Sequence, residues 1–159
     1  MAVRIICTGG TFNKVYNPLT GELTFSDSQV SSLLKIARCQ LPVTELMLID
    51  SLDMTDTTRQ HLVDACRSAT ESRLVIVHGT DTMVESASTV NDAALNKTIV
   101  FTGAMVPNSV NSSDASFNLG YAIAAAQHVD AGVWVAMNAQ LHQWQEVRKN
   151  RELGVFEQR

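Results

Sequence analysis

At 159 residues the chain is long enough for one sizeable hydrophobic core and short for two ordinary domains, so a single domain is expected. Apolar residues make up 45% and charged residues 18%, a soluble globular balance, and no apolar run is long enough to cross a bilayer. A net charge of −4, with no basic stripe and few, scattered aromatics, argues against a phosphate-tracking groove or a base-stacking platform, and so against nucleic acid as a partner.

The chain opens Met1-Ala2-Val3-Arg4-Ile5-Ile6, one basic residue and then a β-branched run. That pattern suits a buried first strand, Val3 to Cys7, better than a secretory signal, and a cytoplasmic location is expected. Cys7, Cys39 and Cys66 are odd in number and set in apolar surroundings, which predicts buried free thiols. Residues Asn13 to Thr24 hold Asn17-Pro18 and Thr20-Gly21, turn formers without a clear period, and read as a mobile loop or a loose hairpin. Val30, Leu33, Leu34 and Ala37 have helical spacing behind the N-cap candidates Ser26, Asp27 and Ser28. A second strand spans Glu45 to Ile49, and a second helix carries Leu62, Ala65, Cys66 and Ala69 behind Thr55 and Asp56. Then follow a strand at Leu74 to Val77, a helix from Thr82 to about Leu95, a strand at Thr98 to Thr102, a helix over Ser116 to His128 and a strand at Val133 to Met137. Five β-rich runs alternating with helical patterns predict an α/β fold: three layers, with an open, mostly parallel sheet covered by helices on both faces, like flavodoxin or a Rossmann domain.

Sheets of this kind bind ligands at the carboxyl ends of their strands. Thr8-Gly9-Gly10-Thr11 follows the first strand and His78-Gly79-Thr80-Asp81-Thr82 follows the third. In both, glycine lets backbone N–H groups approach a ligand while the next residue offers a hydroxyl. One such turn is as readily a simple tight turn or phosphate cradle as a catalytic feature. Two at parallel strand ends, one with an acid at Asp81, are able to present a nucleophile and an activating group to one substrate atom. The second strand ends in Asp50-Ser51-Leu52-Asp53-Met54-Thr55-Asp56. Helix capping accounts for Asp53, Thr55 and Asp56. Ser51 and nearby N–H groups suit an α-carboxylate, and Asp50 suits an α-ammonium.

Thr8-Gly9-Gly10-Thr11, Asp53-Met54 after Ser51, His78-Gly79-Thr80-Asp81-Thr82-Met83, Gly103-Ala104-Met105 and Phe117-Asn118-Leu119 stand in one order and spacing. Together they resemble the amino-terminal domain of the bacterial-type L-asparaginases over nearly the whole chain. Lys14-Val15-Tyr16 after Thr11, and Arg148-Lys149-Asn150-Arg151 leading into Gly154-Val155-Phe156, look like the short single-domain branch. The resemblance implies an amidohydrolase that converts L-asparagine to L-aspartate and ammonia. Thr11 would be the nucleophile and Tyr16 its loop-borne partner. Thr80, polarised by Lys149 and Asp81, would form a second set. Ser51 and Asp81 would hold the substrate's α-carboxylate and α-ammonium, and Gly10, Asp50, Gly79 and Ala104 would complete the substrate contacts. No cofactor or metal is implied, and a homo-oligomer, dimer or tetramer, is.

Several of these residues also have plainer readings. Tyr16 reads equally as a surface loop aromatic, and Lys149 lies in a charge run of the kind that is usually a solvated face. Spacing from Met137-Asn138 places Lys149 at the family's lysine, while Arg148 and Arg151 keep the solvated reading. His78 reads as a packed, hydrogen-bonded residue. His61, His128 and His142 lack ligand spacing, and Trp134 and Trp144 read as core or interface residues. The sequence departs from the family in two places. Leu52 stands where many full-length members carry a glutamine for the α-amino end, which shifts that task to Asp50 or Asp81. The chain also stops at Arg159 without a second domain, which predicts a more open pocket or a wall supplied by another subunit. A glutaminase or other small-amide hydrolase, and a non-catalytic module binding an amino acid or anion, are the rival expectations.

Overall fold

Alternation of apolar residues along each central strand sorts the core onto two faces of one sheet. In the computed structural model, which describes residues 2–26 and 29–159, the sheet has six strands: β1 (Val3–Gly9), β4 (Val43–Ile49), β5 (Arg73–Val77), β6 (Thr98–Thr102), β7 (Gly132–Met137) and β8 (Gln140–Gln143). Their spatial order is β4-β1-β5-β6-β7-β8. All neighbours are parallel except the β7–β8 pair. The five parallel strands therefore run 2-1-3-4-5 in chain order, a doubly wound arrangement whose strand order reverses between β1 and β5.

Helices α1 (Gln29–Ile36) and α4 (Ala115–His128) cover one face, and α2 (Asp56–Ser68) and α3 (Met83–Asp92) the other. Along β5, Val75 and Val77 meet the α1/α4 side while Leu74 and Ile76 meet the α2/α3 side; Val100 opposes Ile99 and Phe101 in the same way on β6. This period of two, with both faces apolar, is what a sheet buried on both sides requires. Thr55 caps α2 through a reciprocal pair of bonds with Thr58, as its position before the apolar pattern predicts. Of the N-cap candidates for α1, Asp27 and Ser28 lie outside the described residues. None of the three cysteines is in a disulfide among the described residues; Cys7 and Cys66 are buried, and Cys39 is half-buried.

Of the mobile loop or loose hairpin expected at 13–24, the hairpin is what forms, from β2 (Lys14–Asn17) and β3 (Glu22–Phe25), paired from Lys14 with Phe25 to Asn17 with Glu22. Beyond the five expected strands, β7 turns back into β8 through Asn138 (φ 54°) and Ala139 (φ 59°), a two-residue turn with both residues left-handed. A final hairpin of β9 (Val147–Asn150) and β10 (Val155–Gln158) follows, anchored in the core by Val147 and Phe156. Asn138 Oδ1 accepts from Phe156 N at 2.8 Å and so ties this hairpin to the end of β7. Among the described residues no helix is long and apolar enough to cross a membrane.

Candidate active site

The carboxyl ends of β1 and β5, where the strand order reverses, bring the two glycine turns into backbone contact. Gly10 has φ 73°, and a Cβ placed on it would fall 2.3 Å from Gly79 Cα. A Cβ on Gly79 would in turn fall 2.6 Å from Ser51 Oγ. Glycine is thus required twice, so that the ends of β1, β4 and β5 close on one point. Thr11, half-buried, opens a short helical turn directly after Gly10. Thr80 follows Gly79 and is 5% exposed, and Ser51 is buried at the start of the turn after β4. Thr82 Oγ1 donates to Ser51 O at 2.7 Å, pinning the β5 turn to the β4 turn.

Lys149 leaves the predicted charge run and points inward from β9, its side chain 12% exposed. Its Nζ lies 2.8 Å from Thr80 Oγ1 and 3.0 Å from Asp81 Oδ1. Arg148 keeps the solvated reading and pairs with Glu157 at the surface. Arg151 is equally solvated, its side chain 65% exposed, and its guanidinium also reaches the same Asp81 Oδ1 at 3.2 Å. With Lys149 and Arg151 both on Oδ1, Asp81 Oδ2 keeps its own acceptor capacity. A cavity of about 370 Å³ has Thr80, Asp81, Glu85, Trp144, Lys149 and Arg151 in its wall. Thr11 and Ser51 are not part of that wall.

Asp50 is already engaged. Its Oδ1 accepts from Leu52 N at 3.1 Å and its Oδ2 accepts from Lys14 Nζ. That ammonium holds the Asp50 carboxyl below the usual carboxylate range. Lys14 stands at the foot of the hairpin carrying Tyr16, and it also lies over the Phe25 ring. Tyr16 is 61% exposed on that hairpin, and Leu52 is exposed beside Asp50.

Ala104 is buried in the turn after β6, and Gly103 packs against His78 O and the Thr80 methyl. Asp114 accepts from Met105 N and Val106 N, while Asn118 donates to Gly103 O at 3.0 Å and accepts from Asn138 N at 3.2 Å. The Gly-Ala-Met and Phe-Asn-Leu motifs are therefore two halves of one brace. The sequence reading missed Lys14, Arg151 and Asp114 as contributors. Only Lys14 carried a signal, through its place between the nucleophile candidate and Tyr16. His78 is fully buried and hydrogen-bonded, as expected. Among the described residues no group of three or more His, Cys, Asp or Glu side chains is arranged to hold a metal ion.

The sequence and the fold have counterparts in known proteins. The family model for the asparaginase N-terminal region matches residues 2–156. The chain belongs to the asparaginase family. It is 31% identical to the glutaminase-asparaginase of Acinetobacter glutaminasificans over 92% of its own length and 49% of that protein's. The thermostable L-asparaginase from Thermococcus kodakarensis superposes with a TM-score of 0.88 at 25% identity, over 99% of this chain and 51% of that one. The "Probable Cytoplasmic L-asparaginase" from Campylobacter jejuni superposes with a TM-score of 0.81 at 27% identity, over 99% and 52%. The chain spans about half the length of the asparaginases it matches.

Proposed function

We propose that the chain hydrolyses the side-chain amide of L-asparagine to L-aspartate and ammonia through a threonine ester. The observation that carries this reading is the Thr80–Lys149–Asp81 cluster, set on a turn in backbone contact with the turn of Thr11. Thr11 Oγ attacks the amide carbon and gives up its proton, with Tyr16 as its loop-borne partner; ammonia leaves, and water then cleaves the β-aspartyl ester. Backbone N–H groups of the two glycine turns stabilise the oxyanion. A charged Lys149 donates to Thr80 Oγ, which turns the Thr80 proton outward. A neutral Lys149 accepts that proton, so the pair is suited to moving a proton during either acyl step.

Ser51, Gly10, Gly79 and Ala104 supply the carboxylate end and the walls. Of the two carboxylates that suit the α-ammonium, Asp81 has an Oδ2 that no described residue bonds, while Asp50 accepts from Lys14 and Leu52. A cytoplasmic location and a homo-oligomer are proposed with the same reading. Glutamine is the competing substrate to test, because the Acinetobacter relative is a glutaminase-asparaginase.

Ammonia release from asparagine and glutamine, measured side by side, tests the activity. Thr11→Ala and Lys149→Ala are each expected to remove most turnover while leaving the circular dichroism of the fold intact; wild-type rates in either variant would refute that residue's role. Binding of aspartate without ammonia release from any amide would leave a binding module instead.

A further inference from the structure

Beneath the Thr80 turn lies a line of buried polar groups that takes no part in the chemistry above. His78 is the residue before Gly79. Its backbone N still donates to Thr102 O at 2.9 Å, so its main chain remains sheet-bound while its side chain turns into the layer under α3. The ring packs edge-on against Phe101 with 5.8 Å between ring centroids. His78 Nδ1 lies 2.7 Å from Gly79 O, and Nε2 lies 2.8 Å from Ser86 Oγ. Ser86 is itself fully buried on α3, and Arg59 Nε on α2 reaches its oxygen at 3.1 Å. Arg59 also donates to Met54 O.

Donor and acceptor chemistry gives this line one direction. A carbonyl oxygen only accepts, so Nδ1 carries the hydrogen. In a neutral imidazole Nε2 then accepts, and the Ser86 hydroxyl is its donor. The guanidinium has no acceptor capacity and no neutral form near pH 7, so it donates to the Ser86 oxygen. The chain therefore reads Arg59 to Ser86 to His78 to Gly79 O, with every hydrogen committed. The alternative, an imidazolium donating at both nitrogens, would place a second cation in the same buried space as Arg59. Burial and Arg59 both oppose that state, and they push the His78 pKa down to about 4. The Ser86 oxygen also lies 3.7 Å from Met54 Sδ, but a ring nitrogen is much the better acceptor for its single proton.

A peptide unit is planar and trans, so fixing the Gly79 oxygen toward the ring sends the Thr80 N–H the opposite way, out of the core. We infer that Arg59, Ser86 and His78 form a one-way hydrogen-bond chain that orients the Gly79–Thr80 peptide and holds the Thr80 N–H toward the substrate crevice. His78 and Ser86 are then positioning residues. The catalytic consequence rests on the amidase reading above; the orientation itself does not. Loss of an aligned amide donor is costly for acyl transfer, because the oxyanion forms only in the transition state.

The experiment pairs an activity-free readout with a kinetic one. Nitrogen-15 NMR of the wild-type protein is expected to show His78 protonated at Nδ1 and bare at Nε2, unchanged between pH 8 and pH 5.5. In Ser86→Ala the Thr80 amide resonance should shift and its hydrogen exchange accelerate, and Ser86→Thr, which restores the hydroxyl, should reverse both. On an amide substrate, Ser86→Ala should lower kcat about tenfold with KM within about twofold, and Ser86→Thr should recover most of the loss. A residue that merely fills the core would lower stability without this kcat and KM split. A proton on Nε2 in the wild type, a Thr80 amide indifferent to Ser86→Ala, or an unmoved kcat would each overturn the inference. If the wild type hydrolyses no amide, the activity reading fails, and the tautomer and the Thr80 amide still decide the chain. The wild-type tautomer needs no variant, so poor folding of Ser86→Ala would not leave the question open.

Discussion

In the proposed mechanism Thr80 has to accept a hydrogen bond from Lys149 and still have a proton to direct at a substrate, which only a hydroxyl does. Thr80→Val keeps the shape and removes that atom. It leaves Lys149 Nζ with Asp81 alone inside a site where its side chain is 12% exposed. We expect kcat/KM to fall by about 10² or more, the range in which positioned proton transfer operates. The cost in folding should be modest, roughly 1.5–3 kcal/mol for one lost hydrogen bond to a charged group. Steady-state kinetics and the urea midpoint measure the two effects separately; a Thr80→Val protein working at half the wild-type rate would take Thr80 out of the chemistry. Gly10 makes the opposite kind of demand, on backbone rather than on chemistry. Its φ of 73° and the 2.3 Å separation that a Cβ would have from Gly79 Cα leave no side chain a place. Gly10→Ala should therefore destabilise the fold by about 3 kcal/mol or more, the sum of a left-handed penalty and a backbone shift in the neighbouring turn. An unchanged urea midpoint in Gly10→Ala would show that the two turns are not in contact.

At the scale of elements, the Lys14–Asp50 pair ties the base of the hairpin β2–β3 to the end of β4. Lys14→Met should release it, raising amide exchange across 14–25 about fivefold, since a partly exposed pair contributes up to roughly 1 kcal/mol. The pH dependence has a definite sign. Asp50 is held below its ordinary pKa, so the tie is complete at neutral pH and weakens only as pH falls below the usual carboxylate range. Exchange in 14–25 that ignores both the substitution and acid would remove the pair from any part in holding Tyr16. The five parallel strands and four helices were legible because short apolar runs of about five residues alternate with longer helical patterns, that of α2 lying behind the Thr55 cap. The later strands were not, for equally local reasons. The β7–β8 turn uses Asn138-Ala139, where the common signal is Asn-Gly, and Ala139 takes φ 59° there without being glycine. β9 reads as charge because only Val147 of its four residues is core, and the inward turn of Lys149 is decided by Thr80 and Asp81, far away in sequence. Arg151 was missed for the same reason. Its partner Asp81 is seventy residues distant, and no local pattern distinguishes it from Arg148.

For the whole molecule, the buried histidine makes a claim on stability that the surface charges do not obscure. His78 is neutral in the fold, with its pKa lowered to about 4 by burial and by Arg59, against about 6.5 in an unfolded chain. Above pH 6.5 neither state takes up the proton, and folding is at full strength. Between pH 6.5 and 4 the unfolded chain binds a proton that the fold refuses, so stability falls with acid and levels off below 4. The span corresponds to roughly 3 kcal/mol, since each pKa unit is worth about 1.4 kcal/mol. Glu71, held down to about 2 by Arg4, and Asp50, held down by Lys14, act in the same direction but only once pH drops below the ordinary carboxylate values. The two sets therefore separate along the pH axis: loss between 6.5 and 4 belongs to the histidine, and further loss below it to the carboxylates. Urea unfolding at half-unit steps from pH 7.5 to 4.5 should show the first slope in the wild-type protein. His78→Asn keeps a side chain that hydrogen-bonds without titrating, and should flatten that slope while lowering stability at pH 7.5. A slope that survives His78→Asn would mean that the proton is taken up elsewhere, and that the ring under the Thr80 turn is not held neutral by the core around it.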